Sequence, residues 1–521
     1  MKTMKKFLSM AALALVGAMT VSCSSDDNII EQPQQQEVTK NNVVTLTTTV
    51  GFADDGTTRA LTAAGVKTFA SGETMAVIYN NGTSTVKAVS HALKVSDITD
   101  GGKKATFTFD LETPNKSGSV LYIYPAAMAG DTGVDMTKLK TQEGTFDALQ
   151  SKYDLCTNFG AWDGDNLPSL TLENLLAILA ITLKNEAGTS DITSSITGLT
   201  LSDGTKTYNV NREAVAGPIY VAIFPTADAT ITVTATDGTT KNYTKTLTTT
   251  KTYEAGNGYP VSWKMTQVAT DLSTLTAAHT AQNGDILTGT LGSNVKISIA
   301  DGATVTLKDV TINGENNDSY KWAGITCLGD ATITLEGTNT VKGFHEDYPG
   351  IHVPEGKTLT IQGEGSLNAS DNGLSAGIGG GNKYLSCGNI VINGGTVTAT
   401  GGDYAAGIGG VDGSCGAITI SGGTVTATGG NDGAGIGSGE TGSFDAITIS
   451  GGTVTATGVD WAAGIGGGCS NKTCGTITIK STVTKVTATK GSYAPYSIGA
   501  GGDGGVGITL TIAAGANVTQ N

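Results

Sequence analysis

Gly394-Gly395-Thr396-Val397-Thr398-Ala399-Thr400-Gly401 recurs twice more, with its first Thr at 424 and at 453. The intervals are 28 and 29 residues. Inside each copy small apolar side chains alternate with Thr, the period-two pattern of a strand with one buried face. A second phrase, Ala-Gly-Ile-Gly, places its Ile at 378, 408, 436 and 465, with degenerate copies at Ile325, Ile351 and Ile498. Another series runs through Ile333, Leu359, Ile390, Ile418, Ile447, Ile477 and Leu510. A third runs through Val341, Leu367, Val397, Val425, Val454 and Val486. Three short apolar strands per repeat, separated by glycine corners, predict a parallel β-helix. Each strand then pairs with its equivalent one coil on, ~4.8 Å away, so like residues stack inside. Seven or eight coils fit, counting a less regular pair around Ile297 and Val305–Leu307.

Cysteine spacing follows the same register. Cys387, Cys415 and Cys474 each stand three residues before Ile390, Ile418 and Ile477, and Phe444 takes that place before Ile447. The column reads as inward and apolar. Adjacent coils bring Cys387 and Cys415 within disulfide reach. Cys469 and Cys474 are close enough in sequence to bridge a loop.

Composition agrees with an all-β chain. Of 521 residues 74 are Gly, charged residues make up 15%, and the residues that build long helices are thin. The net charge of −15 disfavours a nucleic-acid partner. Arg59 and Arg212 are the only arginines, so the C-terminal half lacks the usual bidentate clamp for phosphate or carboxylate.

Upstream of the repeats the grammar changes. From Val43 to Met265 strands are irregularly spaced, as at Val43–Val50, Thr74–Tyr79, Ala105–Phe109, Val120–Tyr124, Ala177–Lys184, Ile219–Phe224 and Thr230–Thr234. Their alternation and turn residues predict one β-sandwich, or two divided near 165–170. The fold class is therefore all-β, with β-sandwich structure over 43–265 and a right-handed parallel β-helix over 270–521. At the start, Lys2, Lys5 and Lys6 precede an apolar run from Phe7 to Val21, the form of a secretory signal over residues 1–22. Residues 23–42 read as a polar tether.

Four resemblances add to this reading. Thr20-Val21-Ser22-Cys23 resembles a bacterial lipobox, with Thr where Leu is usual, which implies acylation of Cys23. Ser24-Ser25-Asp26-Asp27 is similar to the surface-export signal of Bacteroidetes lipoproteins, implying a place on the cell outer membrane, facing outward. Residues 43–265 resemble the fimbrillin family of Bacteroidetes pilins. The resemblance is carried by Thr57-Thr58-Arg59-Ala60, Phe69-Ala70-Ser71-Gly72-Glu73, Tyr153-Asp154-Leu155, Tyr220-Val221-Ala222-Ile223-Phe224-Pro225 and Gly256-Asn257-Gly258-Tyr259-Pro260-Val261. It implies two consecutive sandwiches, other fimbrial subunits as partners, and protease cleavage at Arg59 that frees the first strand and opens a groove for a neighbour's strand. A β-helix at the C-terminus departs from the pilins, where the donor strand is C-terminal, and favours a tip or stand-alone role. The repeats are similar to β-helical carbohydrate-binding domains related in fold to polysaccharide lyases. Gly324-Ile325-Thr326, Ala331-Thr332-Ile333-Thr334-Leu335 and Lys357-Thr358-Leu359-Thr360-Ile361 carry that likeness.

Candidate sites gather at the corner before the Ile series. Trp322, Tyr348, Tyr404 and Trp461 each precede one of those isoleucines, as do Tyr493 and Tyr496. A row of rings rising ~4.8 Å per coil would offer flat faces to successive sugars; the plainer reading is that they cover the corner. Asp403, Asp432 and Asp460 share it and are candidates for Ca2+, for a carboxylate pair, or for ordinary turn residues. Gly377-Ile378-Gly379-Gly380-Gly381 lacks the following helix a phosphate loop needs. No catalytic residues and no cofactor other than Ca2+ are assigned. The expectation is a non-enzymatic surface adhesin whose β-helix binds a glycan or another cell's surface. The alternatives are a polysaccharide-degrading enzyme and a plain spacer.

Overall fold

The computed structural model describes residues 42–52, 68–239, 241–247, 251–382, 385–470, 474–502 and 508–521. The signal segment, most of the tether, Cys23 and Arg59 lie outside the described residues. Strands make up most of the regular structure of the described chain, and none of its helices is long and apolar enough to cross a membrane.

Two apolar cores occupy the region before the repeats. One gathers Phe69, Met75, Phe107, Phe109, Tyr122, Trp162 and Leu172. The other gathers Met128, Leu179, Ile181, Leu199, Val221, Val233 and Trp263. Strands Ala76–Asn80 and Ser117–Tyr124 serve both. Val77, Tyr79, Val120 and Tyr122 face the first core, while Ala76, Ile78, Leu121 and Ile123 face the second. Alternate side chains point to opposite faces of a strand, so a strand buried on both sides reads as an unbroken apolar run. That is why Val-Leu-Tyr-Ile-Tyr (120–124) shows no polar alternation.

The first strand, Val43–Phe52, is interior to an eight-stranded sheet. It pairs antiparallel with Lys104–Glu112 along nine residues and parallel with Leu170–Asn174 from Val50 to Phe52. Thr45 and Thr48 add side-chain bonds to the Asp110 carboxylate (2.7 Å) and the Pro168 carbonyl (2.9 Å).

From Thr270 onward the chain winds into a parallel β-helix. One ladder holds nine short strands, from His279–Ala281 to Ile498–Gly499, and stacks Ile297, Ile325, Ile351, Ile378, Ile408, Ile436, Ile465 and Ile498. All eight side chains are buried. The AGIG glycines have a steric cause. Gly409 sits at φ 135°, and a Cβ there would collide with the carbonyl oxygen of Gly437 one coil on.

The other two ladders differ from expectation at one end. Ile333 pairs with Ile361, and it is Ala331 that stands beside Leu359. Likewise Val341 pairs with Ala369, and the partner of Leu367 is Asn339. Both series were therefore placed two residues out of register in their first coil. A slip of two keeps every side chain on its face, so the apolar pattern cannot detect it. Asn339 is wholly buried in this apolar column. It accepts from Val310 N (2.9 Å) and donates to the carbonyls of Glu336 and Ser366 (3.0 Å each), which satisfies its amide. From Leu359 and Leu367 onward both series hold.

The cysteine column is present: Cys387 stands beside Cys415, Cys415 beside Phe444, and Phe444 beside Cys474. Cys387 and Cys415 form a disulfide. No bridge joins Cys469 to Cys474; Cys474 is buried in the column, and that burial raises its thiol pKa to about 11.

Candidate functional site: an aromatic and acidic edge of the β-helix

The corner turns before the Ile ladder share one hydrogen bond, from the amide of the fourth residue to the carbonyl of the first. It recurs as Ala405 to Gly402, Gly433 to Gly430, Ala462 to Val459 and Ala494 to Gly491. This register aligns Tyr404, Asp432, Trp461 and Tyr493 in one column. Asp403, Asn431, Asp460 and Ser492 form the next. Backbone φ is positive at Tyr404 (66°), Asp432 (58°) and Asp460 (48°). Asp visits that conformation readily; Tyr does so rarely.

The expected row of four rings divides in two. Tyr404 and Trp461 are exposed, at 43% and 41%. Trp322 and Tyr348 are half-buried and stand three rather than four residues before their isoleucines. Trp322 packs against Tyr320 and Phe344, with centroids 5.3 and 5.9 Å away, and its indole nitrogen is buried. Tyr348 lies edge-on to His345. Trp322 thus covers the corner against the apolar core, and Tyr348 rests on the His345 ring. In their place Tyr493 joins the exposed column, stacked on Trp461 with centroids 5.0 Å apart and planes 27° apart. Gly502 lies against the other part of the Trp461 ring, where a Cβ would meet indole carbons at 2.8 Å. Tyr496, 58% exposed, lies three residues beyond Tyr493.

The acidic trio is also redistributed. Asp403 and Asp460 occupy one column two coils apart, ~9.6 Å by coil rise, with Asn431 between them. Asp432 stands in the ring column. Among the described residues no three His, Cys, Asp or Glu side chains are grouped to hold a metal ion. The three candidates for Ca2+ are thus divided between two neighbouring columns, Asp403 and Asp460 in one and Asp432 in the other. Asp403 accepts instead from the Asn431 side chain at 2.9 Å, and the Asp432 carboxylate from Trp461 N at 3.4 Å.

Sequence reading missed Glu440. The loop after each Ile strand folds back along the preceding corner turn. Glu440 N donates to Tyr404 O (2.9 Å), Cys469 N to Asp432 O (3.1 Å) and Ser470 N to Glu440 O (2.7 Å). Glu440 thus arrives beside Asp432 and Asp412. Partial burial first, then these two neighbouring carboxylates, hold its carboxyl above the usual carboxylate range. Asp412 accepts from the Thr441 hydroxyl at 3.1 Å. The only sequence signal was the coincidence of acidic residues in two loops of neighbouring coils. The resulting edge carries exposed ring faces beside carboxylate acceptors, chemistry suited to the apolar face and the hydroxyls of a sugar.

A second polar group lies lower on the helix. His345 is buried between the carboxylates of Asp318 (3.1 Å) and Asp347 (3.7 Å). Asp371 accepts from Gly373 N and Ser375 N, both at 2.7 Å, and burial pushes its carboxyl up to about 6. The His345–Asp318 contact ties loops of successive coils together, while the Asp371 bonds close its own loop.

The comparisons with known proteins agree with the coil geometry. The beta helix repeat family model matches at residues 359–382, 390–414, 418–440 and 447–469. The C-terminal region is thus a β-helix repeat domain by sequence as well as by structure. No curated protein matches the chain. Among solved structures, a proposed cell adhesion protein from Bacteroides uniformis is similar at 12% identity, covering 44% of this chain and 96% of its own, with a TM-score of 0.25. A fimbrial assembly protein from Parabacteroides distasonis is similar at 11% identity, covering 42% and 90%, with a TM-score of 0.24.

Proposed function

We propose that this chain is a surface lipoprotein adhesin, carried on the outer membrane by an acylated Cys23, whose β-helix binds glycan along the edge formed by Tyr404, Asp432, Glu440, Trp461 and Tyr493. The observation that carries this reading is the exposed Trp461–Tyr493 stack beside the half-buried carboxylates of Asp432 and Asp460. Exposed large aromatics cost solubility, and a stacked pair next to polar acceptors is the arrangement sugar-binding faces use. A glycan array probed with the full chain and with Trp461→Ala tests it. Binding that the substitution abolishes supports the reading, and an array with no hit for either protein rejects it. Cys23→Ser should shift the protein from membranes to the soluble fraction; unchanged fractionation would remove the anchor.

The fimbrial part of the reading rests on the resemblance of residues 43–265 and on the interior place of Val43–Phe52 in its sheet. A strand bonded on both sides leaves an open groove when it is withdrawn, and such a groove accepts a foreign strand through main-chain hydrogen bonds.

A second reading has one specific observation in its favour. Glu440, held protonated beyond the usual range by burial and by Asp432 and Asp412, has the character of the acid in a glycosidase carboxylate pair. Release of new reducing ends from a bound glycan, lost in Glu440→Gln, would establish an enzyme in place of an adhesin.

A further inference from the structure

Below the turn of Tyr493, where the Lys490 ammonium donates to Ala494 O at 2.7 Å, the edge carries charge of one sign. Residues 385 to 470 contain no Lys, Arg or His, yet carry Asp403, Asp412, Asp432, Glu440, Asp445 and Asp460. Asp445 lies on strand Ser443–Ile449, away from the ring column. The other five belong to the corner turns and the loops folded against them. Ion pairs in the β-helix region join Lys308 to Glu336, His345 to Asp318 and Asp347, and Lys357 to Asp301, all nearer its start. Among the described residues none of the five edge carboxylates has a cationic partner. A protein surface ordinarily intersperses both signs, and uncompensated like charges on neighbouring coils repel one another. Three successive coils here keep that repulsion directly around the stacked Trp461 and Tyr493 rings.

We infer that this edge selects a carbohydrate bearing free amino groups, a run of N-deacetylated amino sugars, over neutral or acidic glycans. The inference rests on the glycan-binding reading and sharpens it. Each part of the surface then has a task. Trp461 and Tyr493 take the apolar face of a pyranose, and a ring-bound ammonium is also attracted to an indole face. Asp432, in the ring column one coil below Trp461, and Glu440 beside it accept charge-assisted hydrogen bonds from the ammonium. Asp403 and Asp460 repeat a carboxylate on either side at the ~4.8 Å coil rise, which is on the scale of one sugar ring. Uronic acids and sulfated sugars meet the same field as repulsion. N-acetylation removes the charge and so removes what the carboxylates recognise. A Lys-rich peptide would share the charge, but has no flat apolar face to lay on the stacked rings.

The test is calorimetric titration of the full chain, at about pH 6, with a fully deacetylated glucosamine hexamer, its N-acetylated counterpart, an oligogalacturonate and an oligolysine. The expected result is binding of the amine hexamer, at least about tenfold weaker binding of the acetylated form, and none of the uronate. Raised salt should weaken the amine complex, as screening requires. Asp432→Asn combined with Glu440→Gln should reduce amine binding about tenfold and equalise the two hexamers. Asn is chosen because it tolerates the positive φ of position 432. Trp461→Ala, at an exposed position, should weaken both. Equal binding of amine and acetylated hexamers overturns the inference while leaving glycan binding standing. Tighter oligolysine binding, insensitive to Trp461→Ala, overturns it in favour of a basic peptide. Absence of binding to every sugar overturns both the inference and the reading beneath it.

Discussion

Cys387 and Cys415, 28 residues apart in sequence, are joined by a disulfide between neighbouring coils, with Cα atoms 4.5 Å apart. One whole turn of the β-helix is thereby closed into a ring. A crosslink of that span restricts the unfolded chain by about 3–4 kcal/mol in the loop-entropy picture. Reduction should therefore lower the denaturant midpoint of the repeat domain, and Cys415→Ser should lower it by the same amount without further response to reductant. Identical midpoints with and without reductant would show that the bond contributes nothing.

Ile436 is buried between Ile408 and Ile465. Coils of a solenoid bury their cores only against one another. Ile436→Asp should cost several kcal/mol, since it places an unpaired charge in an apolar stack. Trp461→Ala, on the exposed edge, should leave the melting curve within about 1 °C of wild type, a change under ~0.5 kcal/mol. Thermal melts of both variants decide the matter. A stable Ile436→Asp protein would contradict the register.

Two buried groups act oppositely with pH. Asp371 is 8% exposed and its carboxyl is raised by burial from 3.8 to about 6. Its contribution to stability is complete below about pH 4 and is lost as pH rises through about 6. His352 is lowered from 6.5 to about 4, by burial first and then by Lys296. Its contribution is complete above about pH 6.5 and is lost as pH falls through about 4. Relative to wild type, Asp371→Asn should become more stable as pH rises from 4 to 6, by up to ~3 kcal/mol. His352→Gln should become relatively more stable as pH falls from 6.5 to 4. Urea midpoints across that range check both slopes, and a pH-independent difference in either variant would refute its assignment.

The chain has two arginines, Arg59 and Arg212. Arg212 is half-buried and its guanidinium donates to the carbonyls of Glu213 and Val215. An arginine-specific protease should therefore cut first after Arg59, releasing the segment that contains Val43–Phe52. The remaining body should stay folded, because Lys104–Glu112 keeps its pairing with Ile98–Thr99 and both cores lie mostly downstream. The cleaved protein should then bind a peptide copying a pilin donor strand, and the intact protein should not. Resistance at Arg59, or unfolding upon the cut, would exclude strand exchange.

Much of this architecture could be read before folding. In a β-helix the contacts that matter join equivalent positions one coil apart, so a repeat in sequence is already a list of contacts in space. The Ile ladder and the Cys387–Cys415–Phe444–Cys474 column follow from spacing alone. So does the identity of Val397, Val425 and Val454 as one buried stack. Where the repeat degenerates, at Ile333 and Val341, the pattern retained only the face of each residue and lost its register by two.

The binding edge obeyed a different rule. Turn residues are not constrained by a buried period, so spacing did not separate Trp322, packed on Phe344, and Tyr348, half-buried against His345, from the exposed Tyr404 and Trp461. Glu440 reached Asp432 because the loop after its strand folds back along the previous coil, a path set by backbone hydrogen bonds to Tyr404 and Asp432. The sharing of Ala76–Asn80 and Ser117–Tyr124 between two cores likewise arose from which strands met, not from their composition. By itself the sequence determined the fold class, the coil repeat and the nearness of Cys387 to Cys415, since stacking equivalent residues leaves those contacts no freedom. Only the tertiary structure decided which rings and carboxylates share a surface, because loops of different coils find one another through space rather than through period.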